Sequence, residues 1–96
     1  ERAYKKESDS PYILDSIGWA YYLIGDYIKA EKFLKQAIEI MPYDPIINDH
    51  YGDILWSLNR KMQAQYHWKS VLKLEDTEND MKEKIKLKIL FGPKNT

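Results

Sequence analysis

Pro11–Pro42, PYILDSIGWAYYLIGDYIKAEKFLKQAIEIMP, decides the fold, because a shift of 34 positions lays the stretch onto the chain a second time. Pro11 falls on Pro45, Ile13 on Ile47, Asp15 on Asp49, Gly18 on Gly52, Ala30 on Ala64 and Leu34 on Trp68. In the other direction Ala37 lands on Ala3. Self-similarity at a fixed period of this order is the mark of stacked supersecondary units. Inside the unit, Ile13, Leu14, Ile17, Tyr21 and Ile24 recur every three or four residues, so the first half is a helix with one broad apolar face. A second helix is expected from about Tyr27 to Met41, with Ala30, Phe33, Leu34, Ala37, Ile38 and Met41 inward.

Local signals punctuate the pair. Ser10 before Pro11, and Asp44 before Pro45, are side chains that can accept from free backbone N–H groups ahead of a proline in the first turn. Gly25 and its counterpart Asn59 suit the left-handed conformation that closes a helix. Pro42 ends the second helix. Gly18 against Ala30 lets two backbones approach closely, with Ile17, Tyr21 and Leu34 filling the space around the crossing.

With these residues in view, the chain resembles the tetratricopeptide repeat family. The positions that carry the resemblance are Leu14, Ile17, Gly18, Tyr21, Ala30, Leu34, Ala37 and Pro42 in the first copy, and Gly52, Ala64 and Trp68 in the second. The second copy departs at Asn48, Leu55, Val71 and Asp76, where the first has Leu14, Tyr21, Ala37 and Pro42. Such departures are expected of a terminal repeat, and the pattern looks like the last repeats of a larger bacterial protein of the family. The resemblance implies an all-α solenoid of antiparallel helix hairpins. Its expected parts are the tail of a preceding repeat at 1–9, repeats at 10–43 and 44–77, a C-terminal capping helix at 78–92 and a frayed tail at 93–96.

The last segment reads two ways. Met81, Ile85 and Ile89 share a helical face, yet KIKLKIL also alternates as a strand would. A lone strand among helices leaves its backbone groups unpaired, so a capping helix is expected, starting from a Thr77 cap with Asp80 completing a capping box, and ending at Gly92-Pro93. Lys82, Lys84, Lys86 and Lys88 are expected to face solvent. The alternatives are a basic amphipathic helix for an anionic surface, an edge strand or disorder.

Composition excludes several function classes. Fifteen basic residues balance fifteen acidic ones, which gives no signal for nucleic acid. No cysteine means no disulfide framework and no thiolate chemistry. No apolar run reaches the ~20 residues of a membrane span. His50 and His67 stand apart with no zinc spacing and no paired nucleophile, and the four glycines form no phosphate loop, so no catalytic, cofactor or metal residue is assigned and no enzyme is expected. Asp49, His50 and Asp53, within one turn, share a face that a divalent cation could use, but acidic residues near a helix start also simply favour its dipole. The sequence is compatible with a cytoplasmic or an exported protein.

The resemblance also implies a concave groove lined by the first helix of each pair. Carried over by position, it selects Tyr12, Asp15, Trp19, Tyr22 and Leu23, then Ile46, Asp49, Asp53, Trp56 and Ser57. Aromatic rings beside carboxylates suit a partner peptide or helix bearing Lys or Arg. The expected function is therefore a protein–protein interaction scaffold. The alternative is a structural end of a repeat array with an idle groove, self-associating through the N-terminal side where the first repeat is only partly covered.

Overall fold

A computed structural model of the chain describes residues 10–93. The expectations for 1–9 and for the tail beyond Pro93 fall outside that range. Five helices follow in order, α1 (Pro11–Leu23), α2 (Tyr27–Ile40), α3 (Pro45–Ser57), α4 (Lys61–Leu72) and α5 (Asn79–Phe91). There is no strand among the described residues, so 79–91 takes the helical of its two patterns.

The turns inside the two hairpins are the same device. Gly25 has φ 89° and Asn59 φ 65°. In each, the following N–H returns to the helix, Asp26 to the Tyr21 carbonyl and Arg60 to the Leu55 carbonyl, both at 2.9 Å. This is the double closure that a left-handed residue permits at a helix end. The starts are less uniform. Asp44 Oδ1 accepts from the N–H groups of Ile46 at 2.9 Å and Ile47 at 3.0 Å, and Asp26 Oδ1 accepts from Lys29 at 3.2 Å. Contrary to expectation, the Ser10 side chain caps nothing, and only its carbonyl accepts, from the Leu14 N–H. Thr77 departs as well. Its hydroxyl donates to the Val71 carbonyl at 2.9 Å, so it seals the end of α4 rather than opening α5, whose first flanking residue is Glu78.

Close helix crossing depends on the two glycines. A methyl group on Gly18 would overlap the Leu34 side chain and lie 3.1 Å from the Ala30 carbonyl oxygen. On Gly52 it would overlap Nε1 of Trp68 and come within 2.7 Å of the ring's Cδ1. The repeat position filled by Leu34 in the first hairpin is thus filled by a larger ring in the second, and that ring is wholly buried. Trp68 rests on Gly52 and tilts against Trp56, and its N–H donates to the Asp49 carbonyl at 3.3 Å, which satisfies the one polar atom it buries.

Asn48, the polar residue where the first repeat has Leu14, is 2% exposed yet fully paired. Its Nδ2 donates to the carbonyls of Pro42 and Asp44, each at 2.9 Å, which turns Oδ1 toward His67 Nδ1 at 2.9 Å. His67 therefore carries its proton on Nδ1, and burial lowers its pKa, which favours the neutral ring this bond uses. A hydrogen-bonded brace between the α2–α3 turn and α4 replaces an apolar contact.

Helix α5 packs on α4. Ile85 is fully buried, Met81 and Ile89 are half-buried on the same face, and Gln65 Nε2 on α4 donates to the Ile89 carbonyl at 3.1 Å. No helix among the described residues is long and apolar enough to cross a membrane.

Candidate functional site

The 3.6-residue period of α3 puts Asp49 and Asp53 one turn apart on one face, and both are buried. The side chain between them comes from the far end of the chain. Lys88 Nζ lies 2.7 Å from Asp49 Oδ1 and 3.0 and 3.1 Å from the two oxygens of Asp53. Lys88 is 8% exposed, which corrects the expectation that all four lysines of α5 face water. The cation between these carboxylates is an ammonium of the protein itself. Among the described residues no cluster of His and carboxylate side chains has the arrangement to hold a metal.

Burial and pairing compete within this triad. Burial lowers the Lys88 pKa, but the two carboxylates more than offset it and the net shift is upward. For Asp53 burial wins, raising its carboxyl from 3.8 to about 6, with the Asp49 charge adding to the rise and Lys88 opposing it. The two directions differ because a second carboxylate shares the single ammonium. A raised folded-state pKa means that Asp53's own contribution to stability is fully present below its unfolded value near 3.8 and is lost as pH rises through about 6. A carboxyl-carbon NMR titration should therefore find Asp53 changing near pH 6, and later still in Lys88→Met, which removes the opposing charge. A midpoint at or below 3.8 would contradict the burial argument.

Across from α5 stands the aromatic wall of α1. Trp19 stacks on Tyr22 with ring centroids 4.4 Å apart and on His50 of α3 at 4.0 Å. His50 is held by Asp15, whose Oδ1 is 2.8 Å from its Nδ1. Tyr27 tilts onto the other end of the ladder, 5.5 Å from Tyr22. Between this wall and α5 opens a hollow of about 840 Å³, within the ~300–1,000 Å³ typical of ligand sites. Its walls include Trp19, Tyr22 and Leu23 on one side and Lys84, Leu87 and Phe91 on the other, with Asp53 and Lys88 between them. Leu23 is 68% exposed, Leu87 58% and Phe91 75%, so apolar surface faces the opening.

Of the ten residues expected to line one groove, Ile46 and Ser57 are absent from the walls of the hollow and the other eight divide into three groups. Trp19, Tyr22, Leu23 and Asp53 line the hollow. Asp15 and Asp49 lie behind it, paired with His50 and Lys88. Tyr12 and Trp56 are used elsewhere, which corrects the idea of a shared wall. The Tyr12 hydroxyl donates to Asp44 Oδ2 at 3.2 Å, at the start of α3. Trp56 is the seat of Gly92, where an added methyl group would lie 2.7 Å from the indole. The wall that the first-helix register could not reveal is α5. Its Lys84, Leu87 and Phe91, spaced three and four apart opposite the Ile85 face, were the available signal.

Comparison with known proteins agrees with this architecture. Residues 11–44 match the model of the tetratricopeptide repeat family. The TPR repeat-containing protein PA4667 of Pseudomonas aeruginosa is 40% identical over 52 residues, which make up 54% of this chain and 9% of that protein. The chain thus aligns with under a tenth of the length of this relative.

Proposed function

We propose, from the premise that this chain belongs to the tetratricopeptide-repeat family, that it receives a segment of a partner protein in the hollow between α1 and α5. Repeats of this family generally mediate protein–protein interaction. The observation that carries the reading is the exposed apolar opening of Leu23, Leu87 and Phe91 over a wall of stacked rings. Large rigid rings give contact area at little entropic cost, and exposed aliphatic groups beside them gain from being covered. The reading is of a binding module, as family repeats of this kind usually are.

The test is site-specific photocrosslinking of the protein in its own cell. A crosslinker at position 23 or 87 should capture a partner, Leu23→Asp and Leu87→Asp should each abolish capture from the opposite wall, and a crosslinker at Lys35 on exposed α2 surface should capture none. Capture from 35 but from neither 23 nor 87 would refute the reading. A second reading, self-association through the side of α1 and α2 where Ile24 and Ile28 are exposed, predicts adducts with another copy from position 28 instead.

A further inference from the structure

The charges around the hollow are not equally available. On the α3 side Asp49 and Asp53 are both engaged by Lys88, and Asp15 by His50, so each carboxylate that the helix register aims at the groove is already partnered within the chain. A basic partner segment would have to displace a buried ammonium held by three contacts of 2.7 to 3.1 Å. It would also leave Lys88 with no counter-charge. On the α5 side the position is reversed. Lys84 lines the hollow, is exposed, and makes no ion pair among the described residues, whereas Lys86 on the outer side is paired with Glu83 at 3.2 Å.

Lys84 also begins a row. Leu87 and Phe91 follow it at spacings of three and four, so a cation and two exposed apolar groups run along α5 over two turns, ~10 Å at the helical rise. They face the Trp19, Tyr22 and Leu23 wall across the opening. The buried triad carries one more carboxylate than ammonium, but Asp49 lies behind Lys88 and does not line the hollow, which among the described residues leaves Lys84 at the rim as the unpaired charge a ligand meets. Resting on the groove reading above, we infer that the hollow selects an acidic partner segment, with a Leu, Phe or Trp anchor inserted between α1 and α5 and an Asp or Glu within two helical turns of it paired to Lys84. The last helix thereby inverts the charge preference that the groove carboxylates alone would set.

A random-peptide phage library panned on the 96-residue chain tests this. Enriched peptides should combine an aromatic or leucine anchor with a nearby acidic residue. Synthesised singly, they should bind Lys84→Glu roughly three- to tenfold more weakly, the scale of one exposed ion pair turned into a repulsion. Lys35→Glu should leave their affinity unchanged. Enrichment of basic peptides, or equal affinity for Lys84→Glu, overturns the inference. If Leu87→Asp abolishes binding while Lys84→Glu does not, the charge preference falls and the groove reading stands. If neither variant affects binding, or no peptide is enriched, both fall. Lys84 is exposed, and a circular dichroism spectrum matching the parent confirms that its variant is folded.

Discussion

Lys88→Met should destabilise the protein by about 3–5 kcal/mol, the cost of leaving a buried ion group without one of its partners. Methionine keeps the apolar stem that reaches from α5 toward α3 but removes the ammonium, so Asp49 and Asp53 remain buried, close together and both without a counter-charge. Repulsion and lost solvation then act in the same direction. The loss should be local first, because Lys88 carries α5 onto the face of α3, and the remaining hold on α5 is the Ile85 face, the Gln65 bond and the seat of Gly92 on Trp56. Urea unfolding measures the total, and hydrogen exchange should show α5 amides opening before those of α3. Adding Asp49→Asn and Asp53→Asn to Lys88→Met should recover much of the loss, since neutral amides are far cheaper to bury than unpaired carboxylates. A single variant within 1 kcal/mol of the parent would mean that the triad anchors nothing.

Trp68→Ala should be comparably severe, about 3–5 kcal/mol for emptying the space of a large buried ring. Trp68 is 0% exposed and is enclosed by Gly52, Trp56 and the backbone of Asp49. Collapse into the vacancy is limited, because the glycine beneath the ring has no side chain to offer. A net stability of ~5–15 kcal/mol is usual for a domain, so at the low end this variant keeps only about 0–2 kcal/mol. Trp68→Leu, which installs the residue that the first repeat uses at Leu34, should cost clearly less. Thermal melts of the two variants give the comparison, and equal melting points would show that the ring's volume is not what holds α3 on α4.

Part of the hollow's lining was legible in the chain and part was not. The hollow's α1 wall followed from the register that places Trp19 and Tyr22 on the first helix. Ser10 and Asp44 look equivalent as helix starts, yet only Asp44 turns its side chain onto the backbone. Thr77 has the chemistry of a start and serves as an end. Asn48 departs from the apolar position that Leu14 fills, and its three bonds show a paired brace. In each case the residue type states which bonds are possible, while the neighbouring carbonyls and rings decide which are made.

The sequence by itself determined the helix hairpins, their glycine crossings, their left-handed turns at Gly25 and Asn59 and the repeat they form, because all of these depend on groups within a few residues or on a period of 34 that can be counted. Tertiary structure alone decided that Lys88 reaches Asp49 and Asp53, separated from it by 39 and 35 residues, and so which charges remain for a partner. A lysine has the same helical period and the same flexible stem whether its ammonium ends in water or between two carboxylates. Only the angle at which α5 packs on α4 separates the two outcomes, and that angle is set by the Ile85 face and by the bare backbone of Gly92 lying on Trp56.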